Sequence, residues 1–269
     1  MKKILALVLA GLMLFSFAAC GGNNGGTTEP TDNQAAAVDG DLKYIKDKGT
    51  LVVGITDYAP MDFKDENGEW TGFDAEFARL TGEKLGVEVE FIEIDWDNKF
   101  FELDAKSIDC IWNGMTITTE AKENASVSNA YVKNAQVVVM KSADLANFAT
   151  AESLATLDFA VEAGSAGEEA AKENSLDYTA VLTQADALKE VKSGAADACI
   201  IDITMADAMT GEGTSYANLG YSLELTSEEY GIACRKDSNL TAAINDIMAE
   251  LKADGTLQGL AEKYELTLA

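Results

Sequence analysis

Short apolar runs alternate with amphipathic segments from about residue 50 to the end of the chain. The run 51–55 and the alternating residues 87–91 predict strands, whereas apolar residues at helical spacing in 240–251 predict an amphipathic helix. Alternation of this kind is typical of an α/β fold, for which we expect mostly parallel sheet. Further strands are predicted at 108–112, 136–140, 159–161, 198–201 and 230–234, and further helices from Asp74 as N-cap to Gly86, at 99–106, at 165–172, around 188–191 and at 257–264.

The first twenty residues have the pattern of an export signal. Lys2 and Lys3 precede an apolar run, 4–17, that is too short to span a membrane comfortably, and small residues follow. The segment Phe17-Ala18-Ala19-Cys20 resembles the lipobox of bacterial lipoproteins. We therefore expect residues 1–19 to be a signal peptide and Cys20 to carry a lipid; an ordinary signal peptide with an incidental cysteine is the alternative.

The segment after Cys20 favours a tethered protein. Residues 20–42 consist largely of Gly, Asn, Thr, Ala and acidic residues without apolar periodicity, which predicts a flexible tether. At ~5–6 Å × √n, twenty such residues hold a domain on the order of 25 Å from its anchor. We expect a globular protein that is lipid-anchored on the extracytoplasmic face of a membrane.

Composition excludes several functions. The formal net charge is −26, and nucleic-acid binding needs clustered Lys and Arg, so we expect no nucleic-acid partner. The chain has no histidine, which removes the commonest general base and most zinc sites; we expect no enzyme, cofactor or metal. Cys110, Cys199 and Cys234 lie in apolar stretches and predict buried free thiols.

One internal similarity suggests two units. Residues 106–111 and 192–200 are alike, and each leads from a helix into a strand that ends in polar residues, Asn113 to Thr116 in one and Asp202 in the other. Ligands of open α/β sheets bind beyond the carboxyl ends of strands. Two lobes with a cleft between them are therefore expected, with chance similarity of short strands as the alternative.

Ordered sequence blocks also carry a resemblance to a known family. They are 52–63 with 67–74, then 95–97, 112–118, 162–170, 201–202, 229–233 and 251–256. This order and spacing resembles the solute-binding proteins of ABC importers for polar amino acids, the group that includes the glutamine-binding protein, over roughly residues 43–265. The resemblance implies two α/β lobes that close by hinge motion, residues 43–136 with 232–269 and residues 137–231. It also implies an amino acid ligand, a membrane ABC permease as partner, and a monomer.

The resemblance implies roles for particular residues. Asp202 suits the ligand's ammonium, with a helix cap as the alternative, and the helix start at Ser165 and Ala166 suits its carboxylate. Ser165 with Glu168 also forms a capping-box pattern. Tyr58 and Trp96 are placed against the ligand, or are ordinary core aromatics. The complete predicted set is Asp57, Tyr58, Met61, Trp96, Asn113, Gly114, Met115, Thr116, Glu162, Ser165, Ala166 and Asp202.

Two departures from the family pattern concern the ligand's charge. Ala121 stands where many members have an arginine that clamps the carboxylate; Lys122 or Lys133 replaces it, or the helix start does, or the ligand lacks that group. Glu162 stands where the glutamine binder has a lysine. With Asp57 and Asp202 in the same cleft, we expect a cationic or neutral polar amino acid and not an acidic one.

Two other functions are compatible with the same fold. A dehydratase of a prephenate-like acid would need a cationic cleft, which the missing arginine disfavours. A sensor module that reports ligand to a membrane receptor is the second, although the chain carries no fused signalling domain.

Overall fold

The computed structural model describes residues 40–269. The predicted signal peptide 1–19, the predicted lipidation site Cys20 and the tether up to residue 39 lie outside the described residues. The tether as predicted also includes residues 40–42, which the structure places in the first helix, Gly40–Lys48 (α1). Across residues 40–269, the helices are all too short or too polar to cross a membrane.

Two five-stranded sheets form the centres of two α/β lobes. The first has the order β4-β1-β5-β14-β6 and the second β10-β9-β11-β8-β12. The strands are β1 Thr50–Ile55, β2 Phe63–Lys64, β3 Trp70–Thr71, β4 Glu88–Glu93, β5 Cys110–Ile111, β6 Ser126–Val127, β7 Val132–Asn134, β8 Gln136–Lys141, β9 Phe159–Glu162, β10 Tyr178–Val181, β11 Ala198–Asp202, β12 Leu219–Glu224, β13 Glu228–Tyr230 and β14 Ala233–Cys234.

Helices cover these sheets. After α1 they are α2 Phe73–Leu85, α3 Lys99–Asp104, α4 Thr119–Asn124, α5 Ala166–Glu173, α6 Gln184–Ser193, α7 Ile203–Met209, α8 Leu240–Ala253 and α9 Thr256–Lys263, with short 3₁₀ turns at Trp96–Asn98, Leu145–Asn147 and Ala151–Thr156. The predicted helical spacing in α8 is confirmed, because Leu240, Ile244 and Leu251 are buried. The α/β prediction is therefore confirmed.

Both sheets are mixed, whereas we expected mostly parallel strands. In the first, β4, β1 and β5 run parallel, but β14 pairs antiparallel with β5 and β6. In the second, β10, β9 and β11 run parallel, but β8 pairs antiparallel with β11 and β12. The antiparallel strands are those next to the passages between the sheets, which strand and helix periodicity does not reveal.

The chain passes between the sheets twice, through neighbouring strands. β7 leads towards the second sheet and β13 returns to the first, and the two pair antiparallel. An isolated bridge joins Thr116 to Tyr230 beside this pair. The lobe boundaries at residues 136 and 231 themselves stay a prediction.

Two local predictions are wrong. Gly72, not Asp74, is the N-cap of α2; the Asp74 carboxylate is instead buried and accepts hydrogen bonds from the Gly114 amide and the Tyr131 hydroxyl. The predicted strand 230–234 is divided at residues 231–232 into β13 and β14, since the chain there leaves the passage between the lobes and enters the first sheet.

The prediction that Cys110, Cys199 and Cys234 are buried and free is confirmed.

Candidate functional site

A cavity of about 340 Å³ lies between the two lobes. Ten of the twelve predicted site residues line it. Those from the first lobe are Tyr58, Trp96, Asn113, Gly114, Met115 and Thr116, and those from the second lobe are Glu162, Ser165, Ala166 and Asp202. The polar residues at the carboxyl ends of β9 and β11 thus line the same cavity as the loop after β5.

Asp57 and Met61 do not line this cavity. Asp57 is exposed by surface area, but partial desolvation of its carboxyl, followed by the charge of Glu93, raises its pKa. Met61 is fully buried in the core. Its backbone oxygen accepts a hydrogen bond from the Asp74 amide, which lies beneath the loop at Gly114.

Asp202 ends β11 and is only 4% exposed. Its carboxylate accepts hydrogen bonds from the side-chain amides of Asn134, Gln136 and Gln184. It makes no hydrogen bond to the backbone of α7, so its side chain does not act as the helix cap that was the alternative. Burial, followed by the charge of Glu228, raises the pKa of Asp202 to about 6, although the amide donors oppose the rise.

Glu162 ends the neighbouring parallel strand β9 and is 3% exposed. Its Oε1 atom is buried and has no hydrogen-bond partner among the described residues. Burial, followed by the charge of Asp202, raises the pKa of Glu162 to about 8, and the ammonium of Lys99 opposes the rise. The cavity therefore contains two buried carboxyl groups that differ in their hydrogen bonds. Asp202 accepts three from side-chain amides, whereas Oε1 of Glu162 accepts none from the described residues.

Ser165 is the N-cap of α5, and its hydroxyl accepts a hydrogen bond of 3.1 Å from the Glu168 amide. Only one of the two hydrogen bonds of a capping box forms here. The Glu168 carboxylate accepts from the Gly164 amide and not from the Ser165 amide. The first backbone N–H groups of a helix have no partner within the helix. The start of α5 at Ala166 therefore presents donors and the positive end of a helix dipole to the cavity.

Hydrogen bonds within the first lobe hold the loop after β5 in place. The Asn113 side chain accepts from the amide and hydroxyl of Thr56 and donates to the Thr56 carbonyl and to Asp62, so it is fully used within the lobe. Gly114 has a φ of 53°, and a Cβ atom there would lie 2.6 Å from Cε1 of Tyr58. Only glycine therefore lets this loop approach Tyr58 so closely.

Hydrogen bonds beside the cavity join residues of the two lobes. The Thr116 hydroxyl donates to the Glu228 carboxylate at 2.9 Å, and the Tyr58 hydroxyl bonds the hydroxyl groups of Thr204 and Tyr230. These polar contacts fix Tyr58 in the wall of the cavity, with 2% of its surface exposed.

Lys99 is a site residue that the sequence analysis missed. It begins α3, is 6% exposed and lines the cavity. Its Nζ donates to the carbonyl oxygens of Trp96 at 3.2 Å and Gly164 at 2.8 Å, and burial lowers its pKa. Lys99 begins the predicted helix 99–106 and lies three residues after Trp96. Side chains at this helical spacing share a face, which could have indicated that Lys99 lies beside Trp96 in the site.

The other cavity lysine is Lys172, which pairs with Glu168 at 3.1 Å. Lys122 and Lys133, the two lysines considered as replacements for an arginine at Ala121, do not line this cavity. Ala121 itself does line it and is buried.

The charge of the cavity wall is negative. Six carboxyl groups and two lysines line it. The acidic residues are Asp97, Glu120, Glu162, Glu168, Glu169 and Asp202, and the basic ones are Lys99 and Lys172. Within residues 40–269, no cluster of three or more His, Cys, Asp or Glu side chains is arranged to hold a metal ion. The arrangement can hold a polar molecule with at least one cationic group.

Comparisons with known proteins give one consistent result. A family described as "Bacterial extracellular solute-binding proteins, family 3" matches residues 51–267. The L-cystine-binding protein TcyJ of Escherichia coli (strain K12) is 31% identical over 233 residues, 85% of this chain and 87% of that protein. The arginine-binding extracellular protein ArtP of Bacillus subtilis (strain 168) is 29% identical over 272 residues, 98% of each chain. The arginine-bound form of truncated ArgBP from T. maritima superposes with a TM-score of 0.73 at 35% identity, covering 78% of this chain and 99% of that one.

Proposed function

The chain belongs to the bacterial extracellular solute-binding proteins of family 3, and on that premise we propose that it binds an amino acid between its lobes and delivers it to an ABC importer in the membrane. Members of this family are binding proteins and not enzymes. The relatives described above, which bind L-cystine or arginine by name, support an amino acid as the ligand.

The observation that carries the proposal is the pairing of Asp202 with the start of α5 on one wall of the cavity. Asp202 is buried and held by three amide donors, so it suits the ligand's ammonium group. The backbone donors at Ser165 and Ala166 suit the ligand's carboxylate, which removes the need for an arginine at position 121. Opposite them, Tyr58, Trp96, Gly114, Met115 and Thr116 would cover the ligand from the first lobe.

The charge of the wall favours a cationic or neutral polar amino acid. An acidic side chain would meet six carboxyl groups against two lysines. The same balance disfavours a dehydratase of an acidic substrate, since such an enzyme would need a cationic cleft. No feature of the described residues favours a sensor module over a transport component.

Calorimetry of the purified protein against the twenty amino acids tests the proposal. We expect binding of at least one polar or basic amino acid at a single site, and recovery of that ligand unchanged. Failure of every amino acid to bind would overturn the proposal, and tight binding of glutamate or aspartate would overturn the expected charge of the ligand.

We further propose that Cys20 is lipidated and that the mature protein is anchored to the outer face of the membrane. Tethering keeps the captured ligand at a high effective concentration near its transporter. The export pattern of residues 1–19 and the polar composition of 20–39 support this. Cys20→Ser should move the protein from the membrane fraction to the medium; a membrane-bound Cys20→Ser variant would refute lipidation at this residue.

We also propose that the lobes, residues 43–136 with 232–269 and residues 137–231, move as units about β7 and β13. Their antiparallel pairing places both chain passages side by side, which suits a hinge. Small-angle scattering with and without ligand should show compaction on binding.

A further inference from the structure

The contacts expected for the ammonium and carboxylate of an amino acid leave one buried group in the cavity without a partner. That group is the carboxyl of Glu162, which is 3% exposed and whose Oε1 atom has no hydrogen-bond partner among the described residues. A buried acceptor left without a hydrogen-bond partner carries a desolvation cost that nothing in the protein offsets. A side chain that carries such a cost in a ligand cavity is explained if the ligand supplies the missing partner.

We propose that Glu162 determines the specificity of this cavity by binding a cationic group on the ligand's side chain, which makes basic amino acids the preferred ligand class. This inference rests on the proposed function, because it assumes that the ligand's backbone ammonium occupies Asp202.

The positions of the two carboxyl groups support separate partners. Glu162 and Asp202 end β9 and β11, which are neighbouring parallel strands, so both groups lie at the same edge of the sheet. Asp202 is held by the side-chain amides of Asn134, Gln136 and Gln184. One ligand ammonium can compensate Asp202, but a second buried carboxylate beside it needs a second positive charge.

The protein's own cations do not supply that charge. Among the described residues, no Lys or Arg nitrogen lies within salt-bridge distance of Glu162. The cation whose charge lowers the pKa of Glu162 is Lys99, whose Nζ already donates to the carbonyl oxygens of Trp96 and Gly164. Lys172 is paired with Glu168.

The surrounding charges make the Glu162 carboxyl hard to ionise while the cavity is empty. Burial itself, then Asp202 on β11 and Asp186 on α6, raise its pKa, whereas Lys99 on α3 and the side-chain amide of Gln184 on α6 lower it. The remaining charged groups in the cavity wall are Asp97, Glu120, Glu168, Glu169 and Lys172. With its pKa raised to about 8, Glu162 is largely protonated at pH 7, so a cationic side chain must displace that proton to form an ion pair.

The alternative is that protonated Glu162 donates a hydrogen bond to a neutral ligand, such as the side-chain carbonyl of glutamine. The two cases differ in what happens to the proton. An ion pair releases it, so affinity for a basic amino acid rises with pH up to about 8, whereas a donated hydrogen bond retains it, so affinity for a neutral ligand stays nearly constant up to about pH 8 and falls only above it.

L-arginine and L-citrulline test the charge directly, because citrulline has the same shape with a neutral urea group in place of the guanidinium. We expect the wild-type protein to bind L-arginine or L-lysine at least about tenfold more tightly than citrulline or glutamine, a difference that one charge-assisted hydrogen bond supplies. In Glu162→Gln this preference should fall to about threefold or less, while citrulline affinity stays within about threefold of wild type.

Glu173→Gln is the matched control, because Glu173 is also on α5 but is exposed and lies outside the cavity. It should keep the wild-type preference. Equal affinity of the wild type for arginine and citrulline, or an unchanged preference in Glu162→Gln, would overturn the inference while leaving amino acid binding intact. If no amino acid binds, the proposed function itself fails.

Proton release provides a second measurement. Titration of the preferred basic amino acid at pH 7 in two buffers of different ionisation enthalpy should show proton release in the wild type and almost none in Glu162→Gln. The affinity of the wild type should rise by up to about tenfold per pH unit between pH 6 and 8. Proton release of equal size in Glu162→Gln would place the titrating group elsewhere and overturn the assignment to Glu162.

Discussion

The ammonium of Lys99 in the first lobe donates a hydrogen bond of 2.8 Å to the carbonyl oxygen of Gly164 in the second lobe. The same Nζ donates to the Trp96 carbonyl at 3.2 Å, and the side chain is 6% exposed. Hydrogen bonds to charged groups contribute ~1.5–3 kcal/mol when shielded from water. This lysine therefore stabilises the arrangement in which the lobes meet around the cavity.

Lys99→Met should weaken ligand binding about tenfold, because the apolar stem is kept while the charged hydrogen bond between the lobes is lost. Calorimetry with the ligand found for the wild type measures the change. Lys122→Met is the control, since Lys122 is exposed on α4 outside the cavity and should have no effect. An equal loss in both variants would show that the net charge of the protein, and not the hydrogen bond between Lys99 and Gly164, controls ligand affinity.

Asp202→Asn should lower ligand affinity by several kcal/mol, on the order of a hundredfold or more, because a buried ammonium would lose its counter-charge. Asparagine keeps the shape but turns an NH₂ group towards one or more of the amide donors that now serve the carboxylate. Thermal unfolding measured in parallel separates a loss of binding from a loss of stability. Unchanged affinity would mean that Asp202 only organises the surrounding amides.

The pattern of the sequence, with the family resemblance, was sufficient for the two-lobed α/β fold and for ten of the residues that line the cavity, because strand ends and glycine turns leave local signals. The pattern failed for side chains whose hydrogen-bond partners are far away along the sequence. Asp74 has the composition of a helix cap, but its carboxylate turns inward to Gly114 and Tyr131, forty and fifty-seven residues away. Lys99 has the pattern of an exposed helix residue, but its ammonium lies over the rings of Trp96 and Phe100 and donates to the Gly164 carbonyl in the second lobe.

The buried pair Asp62 and Asp74 should make stability depend on pH. Burial raises the pKa of Asp74 to about 7, and burial with the charge of Asp74 raises that of Asp62 well above its usual range. Both titrate near 4 in the unfolded chain, so the folded protein holds more protons above pH 4. The contribution of this pair is therefore favourable at low pH and is lost as the pH rises through about 7.

Asp62→Asn mimics the protonated carboxyl, because its amide can still accept the hydrogen bond from Asn113. The Tm of this variant minus that of the wild type should become more positive between pH 5 and 8. Asp104→Asn, a change at an exposed aspartate on α3, should give a constant difference. A constant difference in Asp62→Asn as well would contradict a proton held by this pair.

Arg235 should be the most important single cation for stability. It is 8% exposed, donates to Asp41 and Asp109, and joins α1 to the first sheet. Arg235→Met should cost about 3–5 kcal/mol of unfolding free energy in urea, because Asp109 is fully buried and would lose one of its two cations. Lys84→Met, which breaks the exposed pair with Glu250, should leave the unfolding midpoint nearly unchanged.

Gly164 offers a test of closure that separates backbone strain from contact between the lobes. It has a φ of 69°, and a Cβ atom there would lie 2.8 Å from the Cα of Asp97 in the first lobe. Gly194 has a similar φ of 82°, but the nearest atom to its Cβ position is the Lys141 ammonium at 4.0 Å. Alanine at either position carries the same left-handed strain of ~1–2 kcal/mol, so Tm should fall similarly in both variants.

Only Gly164→Ala also pushes the lobes apart. If ligand is held by the closed form, apparent affinity falls in proportion to the population of that form, and we expect a loss of about tenfold or more in Gly164→Ala and almost none in Gly194→Ala. Small-angle scattering should show that saturating ligand compacts Gly194→Ala but not Gly164→Ala. Equal affinities in the two variants would mean that the contact between Gly164 and Asp97 is not required for binding, and that the cavity captures its ligand without the close approach seen at this edge.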